Sequence, residues 1–143
     1  MASRRKGRIL AFQALYSWES GRIPPVELMS FSWLEAGKQA SLDEGTACFS
    51  RLLIAGTIEN IKAVDAMIVK HLENWDFTRL NRVDLAILRM SVYTLMYQND
   101  IAPSIVIDEA IGISKEFGTD DSFRFVNGVL DSIRRTLQEQ NEP

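Results

Sequence analysis

Four cations crowd the start of the chain, Arg4, Arg5, Lys6 and Arg8, and a polar amide and a ring follow within three turns, Gln13 and Tyr16. A cation at a helix N-terminus sits at the positive end of the macrodipole and costs a few tenths to about 1 kcal/mol. Folding alone gives no reason to gather four of them there. Two readings remain open, a solvated tail or an edge that faces an anion. Basic groups followed by amides and rings suit single-stranded RNA, whose phosphates supply affinity and whose unstacked bases take rings and amides. Tyr16 taken by itself fits core packing better.

A second candidate patch lies farther along, in the acidic turn Asp120-Asp121-Ser122 and the Phe123-Arg124-Phe125 that follows. Val126, Val129, Leu130 and Ile133 claim the core face of that segment, so one of the two rings belongs at the surface or an edge beside Arg124. A ring so placed either stacks on a base, for about 1–3 kcal/mol, or is simply half-buried. Gly128 inside the same segment predicts close approach of another helix.

Catalysis finds little to work with. No GxxxxGKS/T or GxGxxG phosphate loop is present, and no HExxH or CxxC. The single His71 reads as a surface or core-edge side chain, and the single Cys48 as buried packing. One cysteine excludes an internal disulfide and a multi-cysteine metal site. Asp108-Glu109 reads as first-turn dipole compensation and Asp120-Asp121 as helix capping. No cofactor, metal or enzymatic activity is expected.

The elements that must position these residues are helical. With 143 residues, 46% hydrophobic and 24% charged, the chain suits one domain with an ordinary core. Net charge is −3, but residues 1–22 carry +4 and the remainder −7, an acidic body with a short basic edge. No apolar run approaches the ~20 residues needed to span a bilayer, and the N-terminus lacks a secretory core. The expectation is a soluble, cytoplasmic, single-domain protein without a membrane partner. Apolar spacing of three and four predicts a helix from Arg4 to Glu19 stopped by Gly21, and a shorter one from Pro24-Pro25 to Gly37. Ser41 to Glu44 reads as a capping box opening a helix of about 30 residues to Asn74. A connector, 75–81, then leads to a central helix ending near Gln98 with two apolar faces. Ser104 to Phe117 predicts a helix closed by Gly118 in the left-handed conformation, and Thr119 to Ser122 caps a last one. The prediction is an all-α domain of six to seven helices.

Several blocks resemble the NusB family of bacterial transcription antitermination factors. They are Arg-Arg-Lys-x-Arg leading into Ala11 to Glu19, Asp84 to Arg89, Asp100 to Ala110, Lys115 to Gly118, and Asp121 to Asp131. They follow family order and bracket nearly all of residues 1–143, leaving about residues 20–45 as a variable stretch. The resemblance implies two packed helical bundles and no catalysis. It implies binding of boxA RNA, a single-stranded element of ribosomal RNA transcripts, together with a ribosomal small-subunit protein (NusE), within an RNA polymerase antitermination complex. By matching position, the RNA-contacting residues would be Arg4, Arg5, Lys6, Arg8, Gln13 and Tyr16 from the first block and Asp121, Ser122, Arg124 and Phe125 from the last. Arg79, Arg82 and Leu85 would lie toward the protein partner. Some family members form a homodimer that covers the RNA surface. Asp108, Ala102 and Thr94 depart from the family's usual Asn, Pro and Glu, and Thr94 removes a carboxylate from the expected partner side.

Two other classes compete with an RNA adaptor. Related helical domains resemble the N-terminal part of ribosomal RNA cytosine methyltransferases, which need an α/β cofactor domain and a nucleophilic Cys that these residues do not supply. A protein-interaction module would instead meet an acidic protein with its basic edge.

Overall fold

The computed structural model describes residues 2–21 and 23–141, so Arg22, counted in the basic edge above, lies outside the described residues, as do both chain ends. Among the described residues there are eight α-helices, one 3₁₀ turn and no strand: α1 Arg4–Glu19, α2 Pro25–Ser30, α3 Ala36–Ala40, α4 Glu44–Glu59, α5 Ile61–Lys70, the 3₁₀ turn Phe77–Arg79, α6 Arg82–Tyr97, α7 Pro103–Phe117 and α8 Ser122–Asn141. The all-α reading holds. The count exceeds six to seven because the helix expected to reach Gly37 stops early, with a further short helix, α3, running through that glycine, and the predicted 30-residue helix is broken in two.

The first break is at Phe31, whose φ of 59° ends α2 in the left-handed region. That conformation is strained for a side chain with a Cβ, and the 1% exposed Phe31 ring offsets the cost by burial. The second is at Asn60, whose side-chain amide donates to the Gly56 carbonyl at 2.8 Å and competes with the helical ladder. Apolar spacing continues across Asn60, so periodicity alone reads α4 and α5 as one. The predicted capping box is also shifted. Asp43, not Ser41, accepts from the Thr46 amide at 3.1 Å, and Ser41 closes α3 instead. Gly118 is extended (φ −93°, ψ −169°) rather than left-handed, because the chain turns at once into α8. A Cβ on Gly118 would lie 2.5 Å from Ser122 Oγ, so glycine provides room there.

Helix α6 is the axis of the fold. Every residue from Asp84 to Thr94 is buried, and the helix packs against α1, α4, α5, α7 and α8. Helices α1, α2 and α4 form one bundle and α7 and α8 join α6 in the other, sharing a continuous core that includes Leu15, Leu53, Ile54, Leu88, Ile113, Leu130 and Ile133. The approach of α1 to α4 depends on Gly7, whose added Cβ would lie 2.7 Å from the Phe49 ring. Arg89, on α6, ties the end of α1 to the middle of α5. Its guanidinium forks onto Asp65 at 2.9 Å through both Nε and Nη2, and its Nη1 donates to Glu19.

Close packing of α4 on α6 gives a first expected result. A Cβ on Gly56 would fall 2.1 Å from Tyr93 Cζ, and the Tyr93 ring is itself stacked on Tyr97 at 5.5 Å. Gly56→Ala should therefore destabilise the domain by about 1–3 kcal/mol in urea unfolding, the overpacking cost exceeding the helix-propensity gain. A stabilised variant would show that the tyrosine pair yields freely.

Candidate nucleic-acid interface

The N-terminal cations do not form one lip. Ser3 Oγ accepts from the Lys6 amide and starts α1, and the helical turn then sends the four side chains two ways. Arg4 and Arg8, one turn apart, both lie over the Phe49 ring, with guanidinium carbons 4.3 and 5.3 Å from its centroid. They line a cleft of about 340 Å³ with Asp100 from the α6–α7 connection and Ile105 from the first turn of α7. Arg8 is only 7% exposed. Burial pulls its guanidinium below the ordinary pKa, Glu109 opposes that shift and Arg4 adds to it. Arg5 turns to α7 and meets Glu109 at 3.4 Å and Glu116 at 3.8 Å. Lys6 is exposed. The arginine reached by sequence as a phosphate contact at position 8 is thus set deep, because Gly7 draws α4 onto that side of α1.

Beyond Arg5 along the same side, Gln13 and Tyr16 of α1 line a groove of about 260 Å³ with Trp33, Val83 of α6 and Phe117 of α7. Tyr16 is 42% exposed, which removes the core reading for it. Phe117 packs edge-tilted on Phe12, with ring centroids 5.1 Å apart. A second cleft at the acidic turn is lined by sequence neighbours of this groove. Asp84, next to Val83, and Thr119, two residues after Phe117, line an adjoining cleft of about 410 Å³ with Asp121, Ser122 and Phe125. The two blocks that sequence singled out, far apart in the chain, therefore border adjoining grooves.

Within this second cleft the roles of the acidic turn separate. The Ser122 side chain is buried and its Oγ accepts from the Thr119 amide at 2.9 Å, so it holds the turn rather than facing outward. Asp121 is fully outward, its carboxylate 3.7 Å from Arg124, and it does not cap with its side chain in the way sequence predicted. Asp84 is 7% exposed and its Oδ1 has no hydrogen-bond partner. Burial raises its pKa, and the Ser122 hydroxyl partly opposes that. Of the two rings, Phe125 packs on Trp75 at 5.2 Å, and Phe123 lies between the Lys115 ammonium and the Arg124 guanidinium at 5.0 and 5.1 Å.

Trp75 is the residue that sequence reasoning missed. It is 62% exposed, presented by the turn at Asn74, whose φ is 63°. The signal was available: a tryptophan in a connector flanked by Glu73, Asn74 and Asp76 has no periodic core face to join.

The NusB family profile matches residues 5–135. The chain belongs to the NusB family. The transcription antitermination protein NusB of Treponema pallidum (strain Nichols) is 52% identical over 133 residues, covering 93% of each chain. Among solved structures, NusB of T. maritima superposes with a TM-score of 0.82 at 36% identity, covering 94% of this chain and 93% of that one. A complex of the antitermination factors NusB and NusE with double-stranded RNA contains a chain of TM-score 0.82 and 26% identity, covering 93% of this chain and 96% of that one. NusB relatives are transcription antitermination proteins, not enzymes.

The remaining expectations sort accordingly in this NusB chain. Arg79 is exposed and lines the second cleft, and Arg82 is exposed but paired with Glu19 at 2.8 Å. Leu85, expected toward the partner, is 2% exposed and belongs to the core, because the α6 face it occupies is covered on all sides. The Thr94 departure also falls in the core, where its hydroxyl donates to the Met90 carbonyl at 3.0 Å. Cys48 is exposed, not buried, one residue off the stripe formed by Ala47, Phe49 and Ser50. His71 is at the core edge, its Nδ1 2.7 Å from Ser132 Oγ. Asp108 and Glu109 lie past the first turn of α7, and Glu109 serves Arg5 instead of the dipole. Gly128 has nothing within 4 Å of its Cβ position, so no helix approaches it. Among the described residues, no group of three or more His, Cys, Asp or Glu could hold a metal, and no helix is long and apolar enough to cross a membrane.

Proposed function

We propose that this NusB chain acts in the cytoplasm as an adaptor that grips the boxA element of ribosomal RNA transcripts together with the ribosomal small-subunit protein NusE, and so joins an RNA polymerase antitermination complex. The observation that carries the reading is the pair of ring-lined grooves, one holding Gln13 and Tyr16 and the other Asp121 and Phe125, whose linings meet at consecutive residues Val83 and Asp84 of α6. Arg4, Arg5 and Lys6 neutralise phosphates, and Arg8 supports them from below with a charge that stays fixed in place. Gln13 and Asp121 address base edges, and Tyr16 and Phe125 offer faces for stacking. Ser122 contributes by fixing the turn that carries Asp121, and Arg124 borders the same turn.

The solved NusB–NusE complex contains double-stranded RNA and supports both an RNA and a NusE partner. Rings lining a groove favour a single strand here, since bases stacked within a duplex present no face to them. The exposed Arg79 borders the second cleft and the exposed Arg82 opens α6 three residues later, a position from which a protein partner would extend the RNA track and raise affinity through effective concentration.

Mobility shift with boxA RNA, with and without the small-subunit protein, tests the reading. Binding should be measurable alone and tighter with the partner; no shift in either case refutes it. Asp121→Asn should bind equally or more tightly, because a carboxylate with 90% of its side chain exposed repels phosphate. A large loss would show that the base contact of Asp121 requires its charged carboxylate.

A further inference from the structure

Gly128 is unexplained by packing. Glycine is disfavoured in a helix interior, yet nothing occupies the space its side chain would take. That space is the floor of a third cleft, of about 420 Å³, on the far side of Trp75 and Phe125 from the acidic turn. Arg124 and Arg135 stand at its two ends, spaced around Gly128 on one face of α8, with Glu73 and His71 along the opposite wall. Both guanidiniums are exposed; Arg124 has only the exposed Asp121 at 3.7 Å, a pair that exchanges readily for another anion, while Arg135 shares the half-buried Asp131, at 2.6 Å, with Arg134.

We propose that this cleft holds one further nucleotide of the single-stranded RNA, its base against Trp75 and its flanking phosphates toward Arg124 and Arg135. The inference rests on the RNA reading above and extends it: the track passes Phe125 and crosses α8 over Gly128. The exposed ring supplies a stacking face that tolerates any base. Two arginines at opposite ends match a chain with a phosphate on either side of each base. The absent side chain leaves backbone and ring open to that base. A protein segment is the competing occupant, but two guanidiniums facing one half-exposed aromatic wall favour a polyanion that carries rings of its own.

The test is fluorescence anisotropy with labelled single-stranded boxA RNA, full length and trimmed one nucleotide at a time from each end, on the wild type, Gly128→Met and Trp75→Ala. Methionine suits a helix and a Cβ at this position meets no neighbour, so Gly128→Met should melt at or above the wild-type temperature while its side chain fills the cleft. Both variants should bind the full-length RNA about 5- to 100-fold more weakly. Trimming the nucleotide that occupies the cleft should weaken the wild type and leave Gly128→Met unaffected. Arg135→Gln should reduce the log–log salt slope by about 0.7, the share of one single-strand phosphate contact. Unchanged affinity in both variants, with the wild type still binding, overturns the extension alone. A wild type that binds no RNA overturns the functional reading as well. Variants that lose the small-subunit protein but keep the RNA would assign the cleft to a protein, and that too overturns the proposal.

Discussion

Removing the three outward cations together, Arg4→Gln, Arg5→Gln and Lys6→Gln, should weaken boxA binding about 100-fold near 0.1 M salt and flatten its salt dependence by about 2 in log–log slope. Each single-strand phosphate contact releases about 0.7 of a counterion, so three contacts account for roughly two decades at that salt. The loss should shrink as salt rises, which separates it from loss of a base contact. Arg8 is left in place because its buried guanidinium supports Phe49 and the α1–α4 packing. The fold should survive, since Arg5 is tied only through half-exposed pairs with Glu109 and Glu116, which contribute about 0–1 kcal/mol. Those pairs also hold the Arg5 side chain along α7, toward the end where Phe117 lines the ring-walled groove, before RNA arrives. Phosphate displaces two weak partners, and the displaced carboxylates set a modest penalty that limits affinity. Titrations at several salt concentrations decide the matter: equal affinity and equal slope would return the basic cluster to the status of a solvated tail.

What could be read from the chain, and what could not, follows from the range of each interaction. Helical period and stop residues act locally, so α1, α6, α7 and α8 are legible nearly to the residue. The breaks at Phe31 and Asn60 are not: one depends on a ring finding a tertiary pocket, and the other leaves the apolar period intact on both sides. The site divides the same way. Charge clustering identifies the basic edge, but which arginine turns inward depends on α4 lying against Gly7, a contact 42 residues away in sequence between Gly7 and Phe49. Leu85 looks like any leucine on an amphipathic helix until α6 proves to be covered all round. Gly128 does not make the helix contact that its element predicts, and Trp75, in the connector as expected, carries an exposed ring that its own element does not reveal. Their meaning comes from sharing one cleft.

Arg89→Ala should be the most destabilising single change in the charged network, by about 3–5 kcal/mol. Arg89 is 5% exposed and serves two carboxylates from different helices, forking onto Asp65 of α5 at 2.9 Å and donating to Glu19 of α1. Burial alone would lower its pKa, but the bonds to Asp65 and Glu19 outweigh that and hold the guanidinium above its ordinary value. The charge is therefore permanent, and its removal leaves two carboxylates facing a cavity. Glu19 keeps Arg82 at 2.8 Å, while Asp65 is left without its forked donor. Both carboxylate side chains are about a quarter exposed (26% and 24%), so water relieves part of the penalty and the lower end of the range is expected. Arg89→Lys should recover less than half of the loss, because one ammonium cannot reproduce a planar fork that serves two acceptors. The same guanidinium lies 5.6 Å from the Trp18 ring and 5.8 Å from the Phe77 ring. Phe77 opens the 3₁₀ turn two residues after Trp75, so loosening it should blur the wall that Trp75 shares with Phe125. Urea unfolding gives the stability change, and Trp75 mobility in the folded variant gives the coupling. An Arg89→Ala protein as stable as the wild type would mean that Arg82 alone secures α1 against α6.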